Sequence, residues 1–163
     1  MTDPRFPLPH RAVAPYDWAA VLALIRAEFA FMAGRIDPPS SMLTLTEAAL
    51  AAQAATGEVW VTGTPPIACM VLTPRPHGLY LGKLAVAGAR RGQGLARALI
   101  AVAEARAQAM GLPLLELQTR VELTANHATF RRLGFTETAR TAHPGFDRPT
   151  TITFQRPVPK APA

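Results

Sequence analysis

The segment Leu84-Ala-Val-Ala-Gly-Ala-Arg-Arg-Gly-Gln-Gly-Leu-Ala96 constrains this chain more than any other. An apolar run that reads as a strand passes through a loop holding two glycines. It opens at once into a long helical run from Leu95 to Met110, which Gly111 and Pro113 close. The first amides of a helix have no partner inside it, and they carry partial positive charge. Gly92 and Gly94 let the main chain turn freely and approach a ligand closely. Arg90 and Arg91 add two full charges of the kind that grip phosphate oxygens. Strand, loop and helix together make an anion site, and a pyrophosphate is its natural guest.

The rest of the chain frames that segment. A short strand near Ala12–Ala14 precedes a first helix over Tyr16–Ala33, with Asp17 placed to cap it. Thr44-Leu-Thr-Glu47 has the capping-box pattern and predicts a second helix reaching Gly57. Three short strands follow at Val59–Gly63, Ile67–Thr73 and Leu79–Val86, separated by proline- and glycine-bearing turns. After the long helix come a strand at Leu114–Thr119, a helix at Thr124–Leu133, and strands at Phe135–Thr141 and Thr150–Arg156 joined by HPGFDRP. The order β-α-α-β-β-β-α-β-α-β-β predicts an α/β (α+β) class, with a mixed, mostly antiparallel central sheet flanked by helices.

Composition narrows the partners. At 163 residues the chain is expected to be one domain, with a core over about residues 12–156 and proline-rich tails at residues 4–9 and 157–162. Hydrophobic residues make up 49% and charged residues 17%, the balance of a packed globule. The one cysteine, Cys69, excludes an intramolecular disulfide and thiol-rich zinc, so no metal is expected and a reducing interior suits the chain. The start MTDPRFPLPHR is not expected to act as a signal peptide, and the run Leu95–Met110 is broken by Arg97, Glu104 and Arg106. A cytoplasmic protein with no membrane partner is the expectation. The net charge of +6 is lopsided: residues 1–82 carry five arginines against six carboxylates, and residues 83–163 carry twelve lysines and arginines against five. Such a half asks for an anionic partner. Aromatic residues are only 7% and no long basic run exists, so nucleic acid is not the expected partner.

Two phosphate motifs are close to the glycine loop without matching it. A P-loop needs a Lys followed by Ser or Thr, which is absent. A dinucleotide fingerprint needs a third small residue where Arg97 stands, although Glu116 falls about 20 residues on, as a ribose-binding acid would. A nucleotide oxidoreductase therefore stays open as a lesser alternative.

Arg91-Gly-Gln-Gly94-Leu-Ala96 fits a signature of Gln or Arg, two residues, Gly, one residue, then Gly or Ala. Asn126-His-Ala-Thr-Phe130-Arg-Arg-Leu-Gly-Phe135 follows about 30 residues later, with a strand between. In these two motifs and in element order the chain resembles the GNAT-type N-acetyltransferases over most of residues 12–156. The resemblance implies acetyl-coenzyme A as co-substrate and a small-molecule or peptide amine as acceptor, and it leaves a homodimer open. It implies that the amides of Gly92, Gln93, Gly94, Leu95 and Ala96, after Arg91, hold the coenzyme pyrophosphate. It also implies that the main chain of Leu84, Ala85 and Val86 pairs with the pantetheine arm, with Asn126 and Phe130 contacting the coenzyme.

The sequence departs from that family at the proton donor. Phe130 stands where many members have a tyrosine, and phenylalanine cannot protonate a departing thiolate. A thiol near pKa 8.5 leaves with little help, so positioning can supply much of the acceleration. Glu116 is the first candidate for the base that deprotonates the amine, with Tyr80, His77 and Glu122 behind it. A non-catalytic acyl-coenzyme-A-binding module is the competing expectation. Plainer readings stand beside these: Glu116 as a strand-edge residue paired with an arginine, Asn126 as a helix cap or turn residue, Phe130 as packing, Arg131 and Arg132 as a solvated helix face, Cys69, Trp18 and Trp60 as core, His127 and His143 as surface residues.

Overall fold

The computed structural model describes residues 6–162; Pro4, in the proline-rich start, lies outside the described residues. In chain order the elements are β1 (His10–Ala12), α1 (Trp18–Phe29), α2 (Glu47–Thr56), β2 (Glu58–Thr62), β3 (Ala68–Arg75) and β4 (Gly78–Val86). They continue with α3 (Leu95–Met110), β5 (Leu114–Arg120), α4 (Thr124–Arg132), β6 (Thr136–Thr141) and β7 (Thr151–Pro157). The order β-α-α-β-β-β-α-β-α-β-β is the expected one.

The helix ends follow local chemistry, with two corrections. Asp17 caps α1 as expected, its carboxylate accepting from the Ala20 amide at 3.2 Å. That helix stops at Phe29 rather than Ala33, because the chain tightens into a 3-10 turn over Ala30–Met32. The cap of α2 is Thr46, not Thr44: its hydroxyl accepts from the Ala49 amide at 3.1 Å. Thr44 is already committed to a separate 3-10 turn, Ser41–Thr44, which Ser40 caps.

Seven strands form one sheet in the order β1-β2-β3-β4-β5-β7-β6. Every neighbouring pair is antiparallel except β4 with β5. Side chains alternate between the two faces. On one face Met70, Leu72, Leu79, Leu81, Leu115 and Leu117 meet Leu99, Ile100, Ala103 and Ala107 of α3. On the other, Val59, Val61, Cys69 and Val71 meet Val21, Leu22 and Ile25 of α1 and Leu50 of α2. Strand β3 is therefore buried on both faces over its first five residues, 68–72, which explains their unbroken apolar run. Arg106 of α3 grips the buried Glu58 with three hydrogen bonds, from Nε at 2.9 and 3.2 Å and from Nη2 at 2.8 Å. The Trp60 indole adds a third donor to that carboxylate at 2.8 Å. Trp18 and Trp60 are partly buried against the two core clusters.

Two irregularities position the site. The parallel pairing of β4 with β5 covers only Leu79 with Leu115 and Tyr80 with Glu116, and then the ladder ends. Just beyond, the register with β3 slips: Val71 faces Gly82, yet Cys69 faces Ala85. Strand β4 thus uses Lys83 and Leu84 where β3 uses Met70 alone. Lys83 sits in the left-handed region, at φ +51°. The second half of β4 departs from β5, and a cleft opens between them.

Candidate functional site

The cleft has a volume of about 470 Å³. Tyr80–Leu84 of β4 form one wall and Leu117–Arg120 of β5 the other, with Asn126 and Phe130 of α4 at the side. The connection between α1 and α2 makes the roof, through Met32, Ile36, Pro39 and Met42. Two arginines fasten that roof. Arg120 donates to the carbonyls of Pro38 at 2.7 Å and Pro39 at 3.1 Å. Arg148, from the β6–β7 loop, reaches Asp37 at 3.3 Å and Glu122 at 3.6 Å.

The glycine loop lies at the end of β4. Gly92 and Gly94 have φ of +75° and +83°, so both need the left-handed conformation that glycine adopts without cost. A β-carbon at either would meet nothing within 4 Å, so conformation, not crowding, demands the glycines. Gly94 is the N-cap of α3 and offers no side chain to it. The first intrahelical bond runs from Ala98 to Gly94, leaving the Leu95, Ala96 and Arg97 amides as outward donors. Leu95 anchors the helix start in the core.

Glu28 of α1 holds the loop's near side. Its carboxylate accepts from the Gly88 amide at 2.8 Å and pairs with Arg91 at 2.6 Å. Sequence reasoning assigned the charge of Arg91 to phosphate and missed this partner, which lies 63 residues away. Arg90 lies over the Phe6 ring. Arg91 thus shares its charge with Glu28, and the uncapped helix start offers its main-chain donors beside it.

The remaining expected residues divide. Leu84 lines the cleft, while Ala85 is buried toward α1 and Val86 packs against the α3 cluster. Phe130 lines the cleft and packs edge-on against Phe135 and tilted against Phe154, with ring centroids 6.3 and 6.0 Å apart. Arg131 lies over Phe154, and Arg132 bonds the Thr129 hydroxyl. Glu116 sits where the β4–β5 ladder ends, 8% exposed and outside the cleft lining. One oxygen meets His77 at 2.5 Å and Arg75 at 4.0 Å; the other accepts from Gln155 at 3.5 Å. Its register partner Tyr80 does line the cleft. Burial pushes the Tyr80 phenol above its ordinary pKa, Arg75 stacked 3.9 Å over the ring pulls it down, and the nearby Glu116 charge adds to the rise. The Tyr80 ring also runs along β4, with Cε1 3.3 Å from where a Gly82 β-carbon would stand.

Three cationic or titratable residues were missed as site residues: Lys83, Arg120 and His143 all line the cleft. Burial lowers the pKa of both Lys83 and Arg120. Lys83 stands next to the expected Leu84, so its place in the strand was the available signal. His127, expected at the surface, is buried, its Nε2 2.9 Å from the Arg120 carbonyl oxygen. His143 is half-buried against Thr150. Cys69 is buried in the core as expected, its thiol pushed up to about 12 by burial.

No curated protein sequence matches the chain. Solved structures do. The ribosomal-protein-S18-alanine N-acetyltransferase of Escherichia coli superposes with a TM-score of 0.67 at 20% identity, covering 95% of this chain and 97% of that one. A GNAT family acetyltransferase of Elizabethkingia anophelis with acetyl-CoA bound gives 0.67 at 16% identity, covering 95% and 99%. The IAA acetyltransferase of Bacillus cereus gives 0.64 at 19% identity, covering 92% and 98%. These likenesses establish the fold: a mixed sheet, mostly antiparallel, flanked by four helices. The sequence model of the acetyltransferase (GNAT) family matches residues 18–135. With the glycine-turned start of α3 set beside the broken β4–β5 ladder, this match makes the chain a member of the GNAT acetyltransferase family.

Proposed function

We propose that residues 1–163 form one domain that transfers an acetyl group from acetyl-coenzyme A directly to an amine, both substrates being bound together. The observation that carries this reading is the end of the β4–β5 ladder after Tyr80 and Glu116, beside a helix start that no side chain caps. Beyond Tyr80 the edge of β4 that faces β5 has no strand to bond, and an amide-bearing arm can pair with it as an added strand. The amides of Gly92–Ala96 suit a pyrophosphate, with Arg91 held behind them by Glu28.

In the proposed reaction the amine nitrogen attacks the thioester carbon, the carbonyl oxygen gains charge, and the carbon–sulfur bond breaks. A main-chain amide near Leu84–Val86 stabilises that oxygen. The departing thiolate takes a proton. Phe130 has none to give, so we assign this role to the Tyr80 hydroxyl, which its environment keeps protonated at neutral pH. The proton leaving the amine passes through water to Glu116, with the half-exposed His77 as its outlet to solvent.

Calorimetric melting tests the binding half. Coenzyme A at a hundred times its Kd should stabilise the protein by about 2.7 kcal/mol. An unchanged melt with saturating acetyl-coenzyme A and coenzyme A overturns the proposal. Phe130 favours a second reading, a module that binds acyl-coenzyme A without catalysis. Thiol release across a panel of amines separates the two, since turnover with any amine rejects the module.

A further inference from the structure

We propose that the acceptor is a small amine carrying a carboxylate on an apolar body, and that Lys83 is the residue that selects it. The inference deepens the acetyltransferase reading and rests on it.

The cleft has a one-sided charge. Lys83 and Arg120 line it, and no Asp or Glu does. Neither cation forms an ion pair among the described residues. Arg120 and Arg148 share two carboxylates, Glu122 and Asp37, so the charge left without an answer in the cleft is that of Lys83. Arg120 itself donates to two carbonyls, which satisfy hydrogen bonds without cancelling its charge. Glu116 is turned to His77, Arg75 and Gln155, outside the lining. A half-buried ammonium with no counter-ion is costly, and a carboxylate guest relieves that cost. The bulge sets Lys83 at this place: its left-handed backbone departs from the regular strand just where β4 leaves β5.

That charge repels a polyamine or an aminoglycoside, for which the lining holds no carboxylate. The roof supplies the other half of the description, since Met32, Ile36 and Met42 offer an apolar surface. An amino acid with an apolar side chain has all three features: amine, carboxylate and apolar body.

The test is thiol release from acetyl-coenzyme A with L-leucine, L-methionine and L-phenylalanine, each against its amide, and with 1,4-diaminobutane. The acids are expected to exceed their amides in kcat/KM by roughly ten- to a hundredfold. The amides hold the more readily deprotonated amine, so chemistry alone favours them. Lys83→Met keeps the stem and removes the charge. It should erase that preference through KM for the acids, leaving amide turnover and coenzyme A affinity in place, while Lys83→Arg restores it. Amides or the diamine acetylated as well as the acids overturn the inference. So does an equal loss for acids and amides in Lys83→Met, or coenzyme A binding with none of the acids acetylated. Absence of coenzyme A binding in calorimetry is a separate result, and it overturns the acetyltransferase reading itself. If Lys83→Met does not fold, the wild-type acid-to-amide ratio still decides the acceptor class, and Lys83→Gln decides the role of Lys83 by the same loss of preference.

Discussion

The two halves of the β4–β5 pair face different demands. In the first half, Leu79 and Leu115 are fully buried against α3, Tyr80 faces Glu116, and the Glu116 carboxylate is held by His77 with Arg75 beside it. In the second half the ladder stops, the strand bulges at Lys83, and two cations line a cleft without a carboxylate. The first half satisfies its hydrogen bonds and charges internally, so Leu79 and Leu115 serve stability, while Tyr80 and Glu116 stand at its border with the cleft. The second leaves main-chain groups and charges for a guest to satisfy, so its residues serve binding. Stability and binding are separated here by two or three residues along one strand.

The sharpest way to break that comparison lies just past β4. Gly94→Glu puts a side chain at φ +83° and a negative charge at the helix start. It should abolish the coenzyme A-dependent rise in melting temperature and with it all thiol release. A retained rise means that the helix start does not hold the coenzyme.

The next effect compares the halves directly. Leu115→Ala removes a fully buried side chain from the paired half and should cost about 2–5 kcal/mol in denaturant unfolding. Leu84→Ala, on the partly exposed splayed half, should cost under about 1 kcal/mol and act mainly on KM. Equal stability losses would mean that the splayed half is as much a part of the core.

At the border between the halves, Glu116→Gln should lower kcat roughly a hundredfold and Tyr80→Phe roughly tenfold, with acetyl-coenzyme A affinity unchanged. Steady-state kinetics read both. If Glu116→Gln changes only the melting temperature, Glu116 belongs wholly to the paired half.

The smallest effect is a pH dependence away from the cleft. Burial alone raises the pKa of Glu58, but the bonds from Arg106 and Trp60 outweigh it and hold the carboxyl below its ordinary 4.5. A depressed carboxyl stabilises the fold above its unfolded value, and that stabilisation is lost as pH falls through the folded value. Melting temperature should therefore decline below pH 4.5, and Arg106→Met should flatten this part of the curve while lowering stability throughout.

Much of the anion site was legible because its determinants are close in sequence. The end of a strand, the turn glycines Gly92 and Gly94 and the start of a helix lie within 13 consecutive residues, and the left-handed turns follow from the missing β-carbons of those two glycines. The Asp17 cap was legible for the same reason, whereas the α2 cap was misplaced because two threonines with the same chemistry stand two residues apart. The partner of Arg91 was not legible, nor was the burial of His127. Nothing local distinguishes an arginine aimed at phosphate from one held by Glu28, or a surface histidine from one turned onto the Arg120 carbonyl.

By itself, the sequence determined the order of the elements, the turned start of α3 and the missing hydroxyl at Phe130, since each depends on residue type and near neighbours. Tertiary structure decided which of the charged residues meet. It placed β7 between β5 and β6, ended the β4–β5 ladder after two residue pairs, and set Lys83 and Arg120 on one cleft. It joined Arg148 to Asp37 across 111 positions and His77 to Glu116 across 39. Strand register and the facing of side chains are settled by packing between segments far apart in the chain, and no short stretch of sequence carries that information.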